Sequence, residues 1–186
     1  MRFNRHSEIE GRHAFLSPST YHWLGYSEEK LADRYLTQRA AARGTRLHDL
    51  AKDLIREKVR VPRTNKTLNM YVNDGIGYRM TPEQPLFYSY NCYGTADTIS
   101  FRRNVLRVSD LKTGVSKASF NQLVVYAALF CLEYNFRPGE IDYELRIYQN
   151  DEIGLYIPEV DEVAHAMDRI VTFDKLLEQI KSDEEA

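Results

Sequence analysis

Apolar and polar positions change period twice along the chain, and the changes mark out its elements. A short helix is predicted from about Thr20 to Gly25, after Ser17-Pro18-Ser19, where Ser19 can serve as an N-cap. A second helix is predicted from about Glu28 to Ala42. Gly44 then breaks the pattern, and Thr45 caps a new helix from about Arg46 to Val59, with Leu47, Leu50, Ala51, Leu54 and Ile55 along one face. Pro62 to Asn69 reads as a polar loop. The middle turns to β-branched and aromatic residues, which predicts strands at Leu86–Tyr93, Gly94–Phe101 and Val105–Asp110, with Arg102-Arg103-Asn104 as the turn between the last two. A helix from about Lys117 to Tyr134 follows, ended by Asn135 and Pro138. Ile141–Gln149 alternates like a strand, Asp151-Glu152 turns it into Ile153–Ile157, and Pro158 opens a last helix running to about Lys181. The order α, then β-β-β, α, β, α predicts a single domain over residues 1–186. Its class is α/β or α+β, a mixed sheet with helices packed on it.

Composition narrows the class of protein without naming a function. A chain of 186 residues, 43% hydrophobic and 28% charged, is expected to be globular with a real core. No apolar run approaches the roughly 20 residues that span a bilayer. Met1–Gly11 is polar and charged, unlike a secretory signal, so the expected address is the cytoplasm, with no membrane partner. Cys92 and Cys131 lack CxxC partners and read as two buried, reduced thiols. Two thiols do not make a four-cysteine zinc or iron–sulfur site within one chain.

The net charge of −2 argues against nucleic acid, but its distribution argues the other way. From Arg34 to Lys66 there are ten Lys/Arg against three Asp/Glu; from Asp151 to Ala186 there are three against eleven. Such asymmetry fits a protein with one DNA-facing side, and equally two ordinary solvated helix faces.

The most informative segment is Gly94-Thr-Ala-Asp97, then, after twelve intervening residues, Asp110-Leu-Lys112-Thr-Gly114. Across a hairpin, Asp97 and Asp110 can converge near one end. Asp110 and Lys112, two residues apart, share a face. Aspartate is unfavourable inside strands, so Asp110 directly after an apolar run calls for a reason. Two carboxylates and an ammonium focused on one point suit phosphodiester hydrolysis. Carboxylates ligate Mg²⁺ or Mn²⁺, and a bound cation lowers the pKa of its water and offsets charge growing on phosphate oxygens. Lys112 would hold the attacking water or stabilise that charge. Partial burial would lower its pKa, whereas the carboxylates would hold it up. His48, in the first turn of the helix opened by Gly44-Thr45, can add a neutral imidazole. As a lone helical histidine it can equally be surface or core filler. Gln122 and Tyr126, spaced i, i+4, form a polar patch on an apolar helix. They either bond Lys112 or the DNA backbone, or simply rim the helix toward water. Arg43, Arg46 and Lys52 lie within about a turn of His48 and are candidate phosphate contacts.

Taken together, Gly44-Thr45-x-x-His48, Gly94-x-x-Asp97, Asp110-Leu111-Lys112-Thr113-Gly114 and Gln122-x-x-x-Tyr126 resemble the RecB-type branch of the PD-(D/E)XK nucleases. That branch includes CRISPR-associated adaptation nucleases and many phage exonucleases. The order matches from about Leu16 to Tyr126, and Glu144–Gln149 resembles the strand that follows the Gln/Tyr helix in phage members. The resemblance implies a restriction-endonuclease-like core. It also implies His48, Asp97, Asp110 and the Leu111 carbonyl as metal ligands, Lys112 as the catalytic lysine, and Gln122 and Tyr126 as the branch's extra helix motif. Several relatives carry four cysteines around an iron–sulfur cluster; this chain departs from them. The expected function is a Mg²⁺- or Mn²⁺-dependent deoxyribonuclease, an exonuclease of phage or prokaryotic DNA processing, recombination or repair, acting on DNA and alongside other processing proteins. The alternative is a nuclease-fold module that binds DNA or a protein partner without cutting, for example a regulator of a host nuclease complex.

Overall fold

A computed structural model describes residues 14–16 and 18–184. The polar stretch Met1–Gly11 and Ser17 lie outside the described residues, and the side chain of the expected cap Ser19 is likewise not described. The chain divides into two compact units, residues 1–43 and 44–186. Four α-helices are described: α1 (Glu28–Arg56), α2 (Thr67–Gly77), α3 (Asn121–Tyr134) and α4 (Val160–Glu184). Five strands are β1 (Thr81–Ser89), β2 (Cys92–Arg102), β3 (Val105–Leu111), β4 (Asp142–Gln149) and β5 (Glu152–Tyr156). The class is α+β. Among the described residues, no helix is long and apolar enough to cross a membrane.

The first unit holds a 3₁₀ stretch, Pro18–Gly25, where an α-helix is expected from the sequence, and the first part of α1. Phe15 meets Tyr35 edge to face at 5.3 Å between ring centres, and Lys30 stands 4.5 Å above Tyr26.

The second unit is built on a mixed sheet in the order β1-β2-β3-β4-β5. Strands β1, β2 and β3 form an antiparallel meander, β4 runs parallel to β3, and β5 returns antiparallel to β4. The β2–β3 turn falls where expected, with Arg103 and Asn104 both at positive φ (51° and 63°), the backbone of a tight type I′ hairpin. The β4–β5 turn uses Asn150 and Asp151 in the same way, at φ 53° and 61°. The parallel step from β3 to β4 needs a crossover, which α3 supplies. Asn135 closes α3 in the left-handed conformation, and the Phe136 N–H bonds back to the Cys131 carbonyl at 3.0 Å.

One face of the sheet packs Leu106, Val108, Ile99 and Leu145 against Leu123, Ala127 and Leu129 of α3 and Val163 of α4. The other packs Leu111 and Tyr148 against Ala51 and Ile55 of α1 and Tyr71 and Val72 of α2. Cys131 is buried in the first of these cores as expected, 3.3 Å from the Tyr143 hydroxyl, but Cys92 is only half-buried; the two are not bridged.

Several boundaries differ from the sequence reading, each for a physical reason. Gly44 does not break a helix: α1 runs through it, so Thr45 is not a cap and His48 sits mid-helix. Gly44 is buried because a β-carbon there would stand 2.7 Å from Thr113 Oγ1. Thr67–Gly77 is a helix that begins inside the polar loop expected over Pro62–Asn69. The aromatic run expected as one strand, Leu86–Tyr93, turns between Ser89 and Cys92. Helix α3 begins at Asn121 rather than Lys117, because the Ala118 N–H is held by Gln149 Oε1 at 3.3 Å and Ser119 Oγ accepts the Asn121 N–H at 3.2 Å.

Candidate active site

The backbone pairing of β2 with β3 extends only to Thr98–Ser109. Beyond it Asp97 Oδ2 accepts the Leu111 N–H at 3.0 Å, so a side chain replaces the next backbone carbonyl. Beyond its strand end, β3 remains tied to β4 through the Lys112 N–H, which donates to the Tyr148 carbonyl at 2.9 Å. The chain is thereby fixed on both sides where Asp110, Leu111 and Lys112 follow one another.

Asp110 is buried, and burial, reinforced by nearby Asp97, pushes its carboxyl above the ordinary range. Lys112 counteracts this. Its Nζ donates to Asp110 Oδ1 at 3.1 Å and to Gln122 Oε1 at 3.1 Å. The ammonium also lies 3.0 Å from Asp110 Oδ2, close enough for charge attraction. No donor is aligned on that oxygen, however, and it is buried without a hydrogen bond. On the α1 side, His48 Nδ1 is 3.3 Å from Asp97 Oδ2. The hydrogen bond that the imidazole donates to Asp97 raises its pKa, against the lowering by burial, with the charges of Asp97 and Asp110 and the Leu111 backbone adding to the rise.

The structure thus brings His48, Asp97, Asp110, Lys112 and Gln122 to one end of β3. Tyr126 plays a different part. Its hydroxyl donates to the Thr95 carbonyl at 2.6 Å, and its ring covers Gly94, where a β-carbon would meet Cε1 at 3.1 Å. The glycine of the Gly94-x-x-Asp97 motif is therefore the floor beneath an aromatic ring, and Tyr126 orients β2 rather than Lys112. Among the basic candidates, Lys52 shares the His48 face of α1 but is paired with Asp49 at 2.9 Å. Arg46, two residues before His48, is exposed and lies about 200° around the helix from it. Arg43 is exposed and belongs to the first unit.

Some supporting residues were not anticipated. Gln149 Nε2 donates to the Gly114 and Ser116 carbonyls at 2.6 and 2.8 Å, which pins the loop after Lys112. Tyr71 of α2 lies buried near Asp97 and Asp110, whose charges add to the rise in its pKa that burial causes. In the sequence Gln149 simply ends the strand Glu144–Gln149, so its amide carries no separate signal, and Tyr71 lies in a stretch without a clear period.

The fit to a hard cation is one of chemistry. Asp110 offers a buried, unbonded oxygen, with the Asp97 carboxylate and the Leu111 carbonyl close by. Yet among the described residues no three His, Cys, Asp or Glu side chains are arranged to share one ion. The cause is visible: Asp97 spends Oδ2 on Leu111 and His48, and Lys112 sits on Asp110. Comparisons with protein-family models, with curated proteins and with solved structures give no match.

Proposed function

We propose that this chain is a divalent-metal-dependent deoxyribonuclease of the PD-(D/E)XK type, its sheet and helices corresponding to a restriction-endonuclease-like core. The observation that carries the reading is the Lys112 ammonium held between the buried Asp110 carboxylate and Gln122, with Asp97 and His48 beside it. Four elements, α1, β2, β3 and α3, meet there, and an ammonium anchored by a carboxylate and an amide has a fixed direction, which suits electrostatic catalysis. Asp97, Asp110 and the Leu111 carbonyl, with His48, would hold Mg²⁺ or Mn²⁺. When bound, the ion would supply Lewis-acid stabilisation of the phosphate and a more acidic water. Lys112 would orient the attacking water or donate toward the oxygen on which charge develops, Gln122 would keep the ammonium in place, and Tyr126 would hold β2 in register. The reading includes exonuclease action on linear DNA in phage or prokaryotic DNA processing, in the cytoplasm, with other recombination proteins as partners.

One observation favours a second reading, a DNA- or protein-binding module that does not cut. Lys112 already neutralises Asp110, and no three ligands stand ready to share an ion. Incubation with linear and circular DNA, in Mn²⁺ and in chelator, separates the two. Manganese-dependent loss of linear DNA supports the nuclease, binding without cleavage supports the module, and neither binding nor cleavage removes both DNA readings.

A further inference from the structure

At the opposite end of β3 from Asp110 lies a concavity of about 370 Å³, lined by Tyr78, Arg79, Arg102, Arg103, Val105 and Arg107. Gly77 completes the lining, and four of the seven residues are arginines. They come from the C-terminal end of α2 and from the β2–β3 hairpin, segments more than twenty residues apart in the chain.

Their charges are not balanced locally. Arg107 is spoken for: its Nε donates to Glu144 Oε2 at 3.0 Å, and its guanidinium lies 4.8 Å from the Tyr78 ring centre. Glu144 is spent as well, since Arg146 takes its other oxygen at 2.7 Å. Arg146 in turn packs on Tyr78 and reaches Asp74 at 3.2 Å, so this network positions Tyr78 and Arg107 as a wall. Arg79, Arg102 and Arg103 are exposed, and among the described residues no carboxylate pairs with any of them. Like charges brought together repel, so three unpaired guanidiniums around one hollow are unfavourable unless an anion joins them.

Backbone geometry points the same way. Arg79 occupies the position just past α2, at φ 54°, where the Met80 N–H bonds to the Gly75 carbonyl and the Arg79 N–H to that of Ile76. Glycine is the least strained residue at this place, as it is at positive φ in a two-residue hairpin, where Arg103 stands. Arginine at both accepts strain and gains a guanidinium on the rim. That all four are arginine rather than lysine matters too, because the planar fork matches phosphate oxygens two at a time.

We infer that this arginine-lined concavity binds backbone phosphates of a nucleic acid, gripping it away from the carboxylate centre. The inference deepens the DNA reading above and rests on it. Five residues of strand separate Val105 from Asp110, about 17 Å at 3.3 Å per residue. A duplex presents a phosphate every 3.4 Å along each strand, so one short stretch spans the interval. The grip would add affinity and hold the polymer without reading its sequence.

The test is equilibrium binding of the full chain to a duplex of about 20 base pairs, in chelator, over a range of salt. The variants are R79A/R102A/R103A and R79K/R102K/R103K, with cleavage in Mn²⁺ measured separately. Each lost phosphate contact lowers the slope of log K against log salt by about 0.9, so the alanine variant is expected to lose roughly 2 to 3. The lysine variant is expected to keep the slope and bind several-fold more weakly, which shows that the effect is one of charge and not of unfolding. A slope unchanged in the alanine variant, or a wild type that binds no duplex, overturns the inference. Cleavage with an unchanged slope sinks this site and leaves the nuclease reading standing. A lowered slope with no cleavage in Mn²⁺ does the reverse.

Discussion

Gly44 and Thr113 are in contact: a β-carbon on Gly44 would stand 2.7 Å from Thr113 Oγ1. The contact ties the helix that carries His48 to the residue after Lys112. Gly44→Ala gains about 1 kcal/mol of helix propensity, while Thr113, exposed and in a loop, is the partner that must give way. The expected result is a melting temperature equal to or above wild type together with a loss of cleavage, because Thr113 moves and disturbs Lys112. Adding Thr113→Ala removes the oxygen and should restore cleavage. A variant that simply unfolds, or cuts normally, contradicts this account.

Lys112→Ala should leave DNA binding within a few-fold of wild type and lower the cleavage rate by about 10²- to 10³-fold, the scale of losing one positioned charge or donor. Binding spreads over many phosphate contacts, whereas the Lys112 ammonium bonds, among the described residues, to Asp110 and Gln122. Single-turnover cleavage and gel-shift titration read the two quantities separately. Turnover close to wild type would remove Lys112 from the chemistry.

Asp110→Asn should stabilise the fold. Burial and the Asp97 charge hold the Asp110 carboxyl above its ordinary value of 3.8, so the folded state binds this proton more tightly than the unfolded chain. Stability therefore falls as pH rises from about 4 through the raised value, and above it the penalty is complete. Leaving a buried polar group without full compensation costs about 1–3 kcal/mol. A domain of this size gains roughly 2–4 °C per kcal/mol. Melting curves in chelator should show a variant advantage of a few degrees at pH 7, shrinking toward pH 4. A variant less stable at pH 7 would mean that the Lys112 ion pair outweighs the desolvation.

Calorimetric titration with Mn²⁺ tests the ligand set. Asp97→Asn and Asp110→Asn should each weaken binding strongly, since an amide keeps the shape but loses the charge, and His48→Ala should weaken it less. Wild-type affinity should also rise with pH. The His48 pKa is raised above 6.5, and an imidazole must lose its proton before it can ligate. His48→Ala should flatten that dependence. Unchanged affinity in both aspartate variants would place any metal elsewhere.

The elements with a clean period were legible from the chain alone: the β2–β3 hairpin, β4, α3 and α4. Asp97, Asp110 and Lys112 were legible as a group because strand spacing is enough to bring them together, whereas the i, i+4 spacing of Gln122 and Tyr126 left open whether Gln122 meets Lys112 or only rims its helix. Helix α2 was not. Its buried face is Tyr71, Val72 and Gly75, which is too small and too glycine-rich to show a helical stripe. Gly75 is there because Ile55 of α1 would come within 2.7 Å of a β-carbon. Gly44 misled for the same reason, since a glycine demanded by close packing looks identical to one that stops a helix. The β1–β2 turn was hidden by aromatic residues, of which Tyr90 is 89% exposed. The arginine concavity draws on two distant segments, so no local pattern announced it.

Joining β3 to β4 has a consequence for the order in which the site matures. Asp97 and Asp110 come together through a two-residue hairpin, a local event that closes in microseconds. Lys112 is anchored by the Tyr148 carbonyl and its loop by Gln149, more than thirty residues further on and across a parallel pairing. Such contacts form late, because the intervening chain must first be brought to order. A chain that stops short of β4 therefore carries the carboxylates and Gln122 but lacks the backbone anchor of Lys112 and the clamp on the loop that follows it. The proposed chemistry therefore awaits the crossover, and forms that lack β4 carry the groups without their full support.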